Sequence, residues 1–467
     1  MRVVFIGGGS FRTLPIVRSA LAHGGIPAGG EVRLVDLNVA RAETVGRMIR
    51  KAPEFAAVPC AVSWTSGLDG ALDGADLVSV SMPVGSSQVC QLSDQASMRR
   101  GFIGSDQLSV SGAFRALTGG PVLLDIARRM ERRCPDAWLV DFANPVAVYS
   151  GMIGNHTRIK ALGICGGFSN HRWDLTRLMG RDAYCDEYDV DVAGVNHLSF
   201  ILRGTYRGQD LYAVLGRCLT RGWKPPRIVT YRHMARNITF GLRKLAELYR
   251  RFGRIIFSTE GDGMAHVFYE EMFARARAEF RPATRAAIRA SAQAGAAARE
   301  RADREFASHL DRELDAAFWN ASPLERPWFA RNDADVTVLV LRALSGVERV
   351  KLVASRPNRG AVRGFKDRTV LEYSLWADRA GVTPAPDLEV PDCFHGLISA
   401  LATHQTVLGD AIATQDPKLF ADALFAYPVH QNTRQAKALF RELLAIHRDE
   451  IPAAFQKARD YFGLSTR

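Results

Sequence analysis

A glycine-rich turn near the amino terminus restricts the fold of this chain more than any other feature of its sequence. Residues 3–6 have the apolar pattern of a buried strand, and residues 14–21 have the periodicity of a helix. Between them lie Gly7, Gly8, Gly9 and Ser10. A strand-to-helix turn of this kind lets backbone N–H groups approach a pyrophosphate at the positive end of a helix dipole. The turn therefore predicts a dinucleotide-binding βαβ unit.

Asp36 closes the second predicted strand, at residues 33–36. This is about the spacing at which an acidic residue accepts hydrogen bonds from the ribose hydroxyls of NAD, and its charge would disfavour the additional phosphate of NADP. The alternative is a glycine-rich turn that binds nothing, with Asp36 as a helix cap. Because the flanking pattern is that of a strand, we expect NAD as the cofactor.

The first 200 residues alternate short apolar runs with amphipathic stretches of helical length, one of which, at residues 122–133, should end before Pro135. This alternation is typical of a mostly parallel sheet. Later stretches are longer and mainly helical, with strand candidates at residues 350–355 and 370–376. We therefore expect an α/β protein with an NAD-binding Rossmann-type domain over residues 1–200. A mainly helical α+β domain for substrate binding and oligomerisation should follow over residues 201–467.

The composition describes a chain that can bury a large core, since 47% of its 467 residues are hydrophobic. No stretch reaches the roughly 18 apolar residues of a membrane-spanning helix, and the first apolar run is too short for a signal peptide. The seven cysteines include no CxxC pair and are odd in number, which disfavours a disulfide framework. We expect a cytoplasmic protein with no membrane partner.

The formal net charge of +12 would favour nucleic-acid binding if the basic residues were clustered. They are spread along the chain instead, and the Arg- and Ala-rich stretch at residues 281–304 is typical of a solvated helix face. We therefore expect no nucleic-acid partner. An acidic substrate is an alternative explanation of the charge.

Several polar segments follow the glycine-rich turn in a specific order. They are Leu72-Asp73-Gly74-Ala75-Asp76, Asp106-Gln107 through Phe114-Arg115-Ala116-Leu117, Asp141-Phe142-Ala143-Asn144-Pro145, Gly163-Ile164-Cys165 and Gly194-Val195-Asn196-His197. In these segments, in the opening glycines and in a late Pro357-Asn358-Arg359-Gly360 segment, the sequence resembles glycoside hydrolase family 4. The resemblance covers nearly the whole chain.

The resemblance implies an NAD- and metal-dependent glycosidase with a fold of the lactate and malate dehydrogenase superfamily, assembled as a homodimer or homotetramer. It also implies a mechanism outside the two-carboxylate scheme of most glycosidases. NAD would oxidise the C3 hydroxyl of a bound hexoside, a base would remove the acidified C2 proton, and the C1 substituent would leave. Water would then add and NADH would reduce the ketone. A divalent cation, typically Mn²⁺, would stabilise the charge that develops during deprotonation.

By the same resemblance, Cys165 and His197 are the metal ligands. One thiolate and one imidazole leave positions open for substrate oxygens, as in catalytic metal sites. Asn144 matches a position between cofactor and sugar, and Asn196 matches one that contacts substrate hydroxyls. The structural alternatives are a buried cysteine, a hydrogen-bonded histidine and turn asparagines.

Asp262 and Asp106 are the expected catalytic carboxylates. Asp262 lies in the segment at residues 258–263, which is similar to that of the α-galactosidase and α-glucosidase branch rather than the branch with a catalytic tyrosine. We expect it to act as the base or as a base relay. Asp106 would protonate the leaving oxygen, provided that burial keeps its carboxyl protonated. Each aspartate could instead cap a helix or turn. Glu260 and His266 are further candidates for substrate contact.

The chain departs from the family pattern beside the expected metal and sugar. Ser109-Val110-Ser111 replaces a usual Gly-Pro-Gly, Thr118 replaces a common arginine, and Gly166-Gly167 follows Cys165 where a polar residue is usual. These changes leave the cofactor and metal motifs intact. They bear on which substrate binds and, to a lesser degree, on whether the chain hydrolyses it.

Other polar residues predict substrate contacts without naming the sugar. Arg115, Asn358 and Arg359 are the candidates, and Arg356 and Arg363 could join Arg359 in binding a phosphate, carboxylate or sulfonate. Surface arginines are the plain alternative in a chain so rich in arginine. The substrate is expected to be an α-galactoside or α-glucoside, or an acidic hexoside such as a uronide or a 6-phospho-glycoside.

Two functions of other classes stay open. A plain NAD-dependent sugar or hydroxy-acid dehydrogenase would share the Rossmann-type start but would need no metal cysteine. A non-catalytic NAD-binding sensor would keep the metal site only as a vestige. Metal content and glycoside turnover separate the three functions.

Overall fold

The computed structural model describes residues 1–83, 85–257, 261–321, 334–428 and 433–463, without the side chains of residues 167–170 and 334–335. Within these ranges, thirteen strands form one mixed sheet. They are β1 (Arg2–Ile6), β2 (Glu31–Val35), β3 (Ala61–Thr65), β4 (Leu77–Val80), β5 (Trp138–Asp141), β6 (Lys160–Gly163), β7 (Tyr188–Val195), β8 (Leu198–Tyr206), β9 (Gln209–Asp210), β10 (Ile255–Ile256), β11 (Val350–Pro357), β12 (Val370–Asp378) and β13 (Gly381–Pro384).

Helices account for most of the remaining chain that the structure describes. They are α1 (Thr13–Ala22), α2 (Val39–Lys51), α3 (Pro53–Ala57), α4 (Leu68–Leu72), α5 (Ser87–Arg99), α6 (Val110–Arg133), α7 (Val146–His156), α8 (Gly167–Leu178), α9 (Leu211–Cys218), α10 (Ala235–Phe252), α11 (Gly261–Ala265), α12 (Tyr269–Glu279), α13 (Arg285–Ala307), α14 (Ala316–Asn320), α15 (Ala334–Leu344), α16 (Asp392–Thr414), α17 (Pro417–Ala426) and α18 (Arg434–Ile446). Two 3₁₀ helices occur at Arg232–Met234 and Ala453–Tyr461.

The first half of the chain forms a parallel sheet of Rossmann type. Its strands lie in the order β3-β2-β1-β4-β5-β6, and each neighbouring pair is parallel. Because the direction of winding reverses between β1 and β4, a crevice opens there at the carboxyl ends of the strands, where doubly wound sheets bind dinucleotides. The predicted Rossmann-type sheet is confirmed.

The second half adds antiparallel strands to the same sheet. β11 pairs with β6, and the order continues through β12, β7 and β8 to β10. The rest of this half is helical in the described ranges, so the predicted mainly helical α+β half is confirmed as well. The predicted boundary at residue 200 falls inside β8, and the division into two domains stays a prediction.

Helix α6 begins earlier than the periodicity indicated. It starts at Val110 rather than near residue 122, and the Ser109 side chain caps it by accepting the Gly112 N–H at 2.9 Å. Pro121 lies within the helix. Because proline lacks the N–H that a helix interior requires, it indicated a helix start near residue 122. The predicted end before Pro135 is correct, since Cys134 is the C-cap. The early start places the Asp106 loop at the carboxyl edge of the sheet.

The composition led to expectations about an exposed helix, the cysteines and membrane-spanning segments. Helix α13 is largely exposed and is anchored by the buried Ile288 and Phe306, which confirms a solvated helix face. The described residues include all seven cysteines, and no disulfide forms between them. No helix in the described part of the chain combines the length and the apolar character that crossing a membrane requires.

Candidate active site at the carboxyl edge of the sheet

The glycine-rich turn follows β1 and packs tightly against its neighbours. Gly7 has a left-handed backbone (φ 80°), and a Cβ at this position would lie 2.1 Å from the Ser81 carbonyl oxygen. Gly7 and Gly8 both donate their N–H groups to the Val35 carbonyl oxygen, at 2.9 and 3.0 Å. Because only glycine fits at position 7, the backbone of the turn can lie directly against the ends of β2 and β4.

Asp36 lies beside this turn, as its position after β2 predicted. Its two carboxylate oxygens accept the N–H groups of Gly9 and Asn38, each at 2.9 Å. The carboxylate thus links the turn to the end of β2. Leu37 next to it has a side chain that is 98% exposed. The structure therefore brings the glycines and Asp36 together in one cradle.

Cys165 and His197 meet at the same edge of the sheet. The distance between Cys165 Sγ and His197 Nε2 is 3.6 Å. The strand register explains this, because Gly163 pairs with Ser355, Ser355 with Glu372, and Glu372 with Gly194. The ends of β6 and β7 therefore lie level across two intervening strands. The two residues come together although 31 residues separate them in the chain.

His197 occupies the two-residue connection between β7 and β8 in a left-handed conformation (φ 69°). Helix α11 approaches this connection closely, since a Cβ on Gly263 would lie 1.7 Å from the His197 carbonyl oxygen. Left-handed backbone at a non-glycine residue is costly and persists where surrounding contacts enforce it. These contacts fix the imidazole at the edge of the sheet.

Asp262 is buried and accepts four hydrogen bonds. Its Oδ1 accepts from His197 Nδ1 and from the Gly263 N–H, both at 2.8 Å. Its Oδ2 accepts from Ser105 Oγ at 2.6 Å and from the Leu108 N–H at 2.9 Å. Both oxygens of the carboxylate are therefore engaged with the protein, and one of them orients the imidazole of His197.

Without a bound cation, each partner of this pair stabilises the charged form of the other. Burial opposes the charge of each, but Asp262 and Cys165 raise the pKa of His197 well above its usual range. The charge of His197 and the hydrogen bonds from Ser105 and Leu108 hold the pKa of Asp262 well below its usual range, against the effect of burial. Because both oxygens of the carboxylate already accept hydrogen bonds, the geometry favours an orienting role for Asp262 over the role of base.

Asp106 and Asn144 form a second pair of sequence-predicted residues. Asn144 follows β5, and its Nδ2 donates to Asp106 Oδ2 at 2.9 Å. Asp106 is half-buried and lies in the loop that precedes α6. The amide holds one carboxylate oxygen and leaves the other available. A carboxyl group in this position can exchange a proton with a bound molecule.

Asn196 lies next to His197 but faces the protein interior. Its Oδ1 accepts from Gln107 Nε2, and its Nδ2 donates to Glu372 Oε2 at 2.6 Å. The side chain is nearly inaccessible. In this structure it therefore does not reach the surface of the cavity, where contact with substrate hydroxyls was expected. The amide instead joins the strand connection to the Asp106 loop and to β12.

Glu372 is a site residue that the sequence did not predict. Its carboxyl group accepts from Asn196 and, at 2.7 Å, from Ser199 Oγ, and burial raises its pKa. The available signal was an acidic residue inside the apolar pattern of a predicted strand. Buried carboxyls need hydrogen-bond partners, which come here from the β7–β8 connection and from β8 itself.

A cavity of about 330 Å³ opens beside these residues. Asp106, His197 and Asp262 form one part of its lining. Helix α12 forms the facing wall with Met272, Arg275, Ala276 and Glu279, and the loop at residues 103–105 and Gly261 complete it. The metal-ligand candidate His197 and the proposed acid Asp106 therefore share one cavity.

Two family models match this chain. The model described as family 4 glycosyl hydrolase matches residues 2–180, and the model of the family 4 glycosyl hydrolase C-terminal domain matches residues 192–430. The chain belongs to glycosyl hydrolase family 4. The predicted family, fold class and glycoside-hydrolysing class of enzyme are confirmed.

Relatives and solved structures match this family 4 chain over part or nearly all of its length. An α-galacturonidase from Thermoanaerobacter italicus is 23% identical over 509 residues, covering 99% of this chain and 97% of the relative. A 6-phospho-β-glucosidase from Escherichia coli is 28% identical over 221 residues, covering 46% and 48%. A 6-phospho-α-glucosidase from gut microorganisms, solved with NAD and Mn²⁺, has a TM-score of 0.77 at 16% identity, covering 97% and 99%. This last likeness shows the shared fold.

The donor set at Cys165 and His197 fits a divalent cation in a family 4 enzyme. Cys165 Sγ and His197 Nε2 lie 3.6 Å apart, close enough for both atoms to bind one ion. The hydrogen bond from Nδ1 to Asp262 fixes the tautomer that leaves Nε2 for the ion. Among the described residues, no group of three His, Cys, Asp or Glu side chains could hold a metal. Substrate oxygens or water would complete the coordination.

The cradle formed by the glycine-rich turn fits a dinucleotide equally well. The absence of a Cβ at positions 7, 8 and 9 leaves the turn compact, because a Cβ at each would lie within 2.8 Å of a neighbouring atom. Ser10 closes the turn through its N–H, which donates to the Gly7 carbonyl oxygen at 2.9 Å. The family 4 chain thus keeps the cradle in the crevice between β1 and β4.

Three predicted substrate residues lie away from the cavity. Arg115 donates to Asp94 Oδ2 at 2.7 Å and to the Cys90 carbonyl oxygen, so its guanidinium is engaged inside the protein. Asn358 is buried and organises its own loop, and Arg359 donates to the Gly154 carbonyl oxygen at the end of α7. The cause is the antiparallel direction of β11, which carries residues 358–359 to the edge opposite Cys165.

Of the two further candidates for substrate contact, the structure describes His266. His266 is half-buried, and its Nε2 lies 3.3 Å from the hydroxyl of Tyr427, which donates to the Leu108 carbonyl oxygen. Burial lowers the pKa of His266 to about 4, so the imidazole is neutral and packs behind Asp262 rather than lining the cavity. Glu260 lies outside the described residues.

Proposed function

We propose that this family 4 chain is an NAD- and divalent-metal-dependent glycosidase that cleaves a hexoside by oxidation, elimination, water addition and reduction. The observation that carries the proposal is the 3.6 Å approach of Cys165 Sγ to His197 Nε2 beside Asp106 in one cavity. A dehydrogenase that only oxidises a hydroxyl group would need no such thiol and imidazole pair. The substrate is a small-molecule glycoside.

The cofactor and the cation have separate binding residues. Bound NAD supplies a hydride acceptor and donor, and a bound divalent cation, Mn²⁺ in the family resemblance, supplies Lewis-acid stabilisation of negative charge next to a carbonyl. Gly7, Gly8 and Gly9 would hold the pyrophosphate, Asp36 would accept the ribose hydroxyls, and Cys165 and His197 would hold the cation. Asn144 would separate the cofactor from the sugar.

Asp106 is the group that we assign to the leaving oxygen. Its carboxyl lines the cavity and is held by the Asn144 amide on one oxygen, so the second oxygen can present a proton to the departing group. Proton donation of this kind matters most when the leaving group is a poor one. Asp106 would thus set which aglycones are cleaved efficiently.

Asp262 and Asn196 are assigned to positioning rather than to chemistry. Asp262 orients His197 through Nδ1, and Asn196 holds the neighbouring backbone through Gln107 and Glu372. Such partners behind a metal ligand raise its basicity and fix its orientation. This assignment replaces the expected base role of Asp262, because both oxygens of that carboxylate already accept two hydrogen bonds each.

A test of the proposal uses aryl α- and β-glycosides of glucose and galactose, of their uronic acids and of their 6-phosphates. The purified chain is assayed with NAD and Mn²⁺ under reducing conditions, without each additive, and as Cys165→Ser. Cleavage that requires NAD, the cation and Cys165, with deuterium exchange at C2 in heavy water, would support the proposal. Oxidation of a sugar without bond cleavage would indicate a plain dehydrogenase. NAD binding without any reaction would indicate a sensor.

The location and assembly of the chain belong to the same proposal. We place the enzyme in the cytoplasm, because NAD and reduced thiols are available there and because the metal-ligand candidate Cys165 must stay unoxidised to bind a cation. A homodimer or homotetramer is the expected assembly. Size-exclusion chromatography with light scattering measures it directly.

A further inference from the structure

The wall of the cavity that faces His197 carries an arginine. Arg275 of α12 lines the cavity on one helical face with Met272, Ala276 and Glu279. These residues recur at spacings of three and four, which places them on one side of the helix. Arg275 is the only basic side chain, arginine or lysine, among the described residues that line the cavity.

The guanidinium of Arg275 is held in place before any ligand binds. It lies over the ring of Phe240, with Cζ 4.5 Å from the centroid, and Nη2 donates to Asn237 Oδ1 and, at 3.2 Å, to Glu279 Oε1. The side chain is 23% exposed. Its Nε and Nη1 donors have no partner within the part of the chain that the structure describes. An arginine fixed in this way loses little freedom when it binds an anion.

We propose that Arg275 binds the carboxylate of a uronic-acid glycoside, so that the substrate of this enzyme is a hexuronide. The proposal rests on the proposed glycosidase function and adds the class of sugar. A neutral sugar that displaced water from this wall would leave the three N–H groups on Nε and Nη1 without charged acceptors. Sites built around such donors discriminate against ligands that cannot satisfy them.

The surroundings of Arg275 favour a carboxylate over a phosphate. A planar guanidinium matches the two oxygens of one carboxylate. A phosphate brings up to two negative charges, and the described lining offers no second arginine or lysine to balance them. Asp106 and Glu279 on the same lining would also repel a dianion more strongly than a monoanion.

The first arm of the test compares sugars. The full-length enzyme, loaded with NAD and Mn²⁺, is assayed on matched aryl glycosides of galactose and glucose, of galacturonic and glucuronic acid, and of the two hexose 6-phosphates. Both anomers are included. We expect kcat/KM for a uronide to exceed that for the matching neutral hexoside and 6-phosphate by about 100-fold or more, the size typical of an unsatisfied charged partner.

The second arm compares variants. Arg275→Gln should lower kcat/KM for the uronide about 30-fold or more, mainly by raising KM, with little change for the neutral hexoside. Arg275→Lys should retain part of the preference, because it keeps the charge but not the two-pronged geometry. Arg277→Gln is the matched control, since Arg277 is exposed on the same helix and does not line the cavity.

A binding measurement keeps this proposal separate from the proposed function. Isothermal titration of D-galacturonate, D-glucuronate and the two neutral hexoses is carried out on the wild type, Arg275→Gln and Arg277→Gln. Tighter binding of a uronate that depends on Arg275 supports the carboxylate site even if no glycoside is cleaved, an outcome that would remove the glycosidase function alone. A preference of the wild type for neutral or 6-phosphate sugars would overturn the proposal. Equal losses on charged and neutral substrates in Arg275→Gln would overturn it too.

Discussion

His197 donates its Nδ1 hydrogen to Asp262 Oδ1 across 2.8 Å, and its Nε2 faces the Cys165 thiol at 3.6 Å. The imidazole is thus oriented from behind, as metal-binding histidines usually are. We expect Asp262→Asn to weaken Mn²⁺ binding about 10- to 100-fold, because the neutral amide no longer supports the imidazole. Titration of Mn²⁺ followed by electron paramagnetic resonance measures the affinity.

Cys165→Ser should weaken Mn²⁺ binding further, since it removes a thiolate ligand directly. NADH fluorescence titration serves as the control for folding and should be unchanged in both variants. If Asp262→Asn binds Mn²⁺ as tightly as the wild type yet loses turnover, the carboxylate acts in proton transfer and the orienting role is wrong.

The proton-donor role of Asp106 predicts a dependence on the leaving group. Asp106→Asn should lower kcat/KM about 10²- to 10⁴-fold for glycosides with alkyl leaving groups, which need protonation. The loss should be much smaller for 4-nitrophenyl glycosides, because nitrophenolate departs without a proton. Asp125→Asn, at an exposed position on α6, is the matched control. An equal loss on both classes of substrate would rule out the donor role.

The buried amide of Asn196 predicts a loss of stability rather than of substrate affinity. Asn196→Ala leaves Glu372 Oε2 and the Gln107 amide without a buried partner, which should lower the free energy of unfolding by about 1–3 kcal/mol. Thermal unfolding of the variant is compared with that of Asn320→Ala, at an exposed position. An unchanged melting temperature with a raised KM would place the Asn196 amide on the substrate after all.

The cofactor cradle predicts a choice between NAD and NADP that depends on two aspartates. Asp36 is bonded to the Gly9 N–H, and Asp303 of α13 lies 3.1 Å from the guanidinium of Arg41 on α2. Asp36→Ser should weaken NADH binding about tenfold or more through the loss of charge-assisted hydrogen bonds. Adding Asp303→Asn should then raise NADPH affinity, because Arg41 becomes available to a phosphate. Fluorescence titrations with both nucleotides check this, and no gain for NADPH in the double variant would contradict it.

Two buried histidines predict a loss of stability in mild acid. Burial lowers the pKa values of His404 and His447 to about 4, whereas the unfolded chain binds the same protons near pH 6.5. The unfolded state therefore binds more protons between pH 6.5 and 4. Stability is fully present above pH 6.5 and falls as the pH decreases towards 4, by up to about 1.4 kcal/mol per pH unit for each histidine.

Melting temperatures measured across this range check the expectation. His447→Gln should flatten the dependence on pH, whereas His23→Gln, at an exposed position, should leave it unchanged. An equal slope in the wild type and His447→Gln would show that His447 is not the source.

Local patterns in the chain were sufficient for much of the architecture. The alternation of apolar runs and helical stretches specified the parallel sheet, because a βαβ unit is built from neighbouring segments and leaves its period in the sequence. The glycine-rich turn and Asp36 were found for the same reason, since only 27 positions separate Gly9 from its carboxylate partner. Cys165 and His197 were assigned through the family resemblance, and the structure brings them together.

Contacts between distant segments were decided by strand pairing and helix packing alone. The register that aligns Gly163 with Gly194 passes through β11 and β12, which lie more than 150 residues further along the chain. The same antiparallel β11 takes Asn358 and Arg359 away from the site, and the packing of α12 brings Arg275 into it. Periodicity reports which face of an element is buried, but not which remote element covers it. For this reason the motifs pointed to the chemistry, while the contact by which Asp262 orients His197 and the place of Arg275 on the cavity wall emerged only from the folded chain.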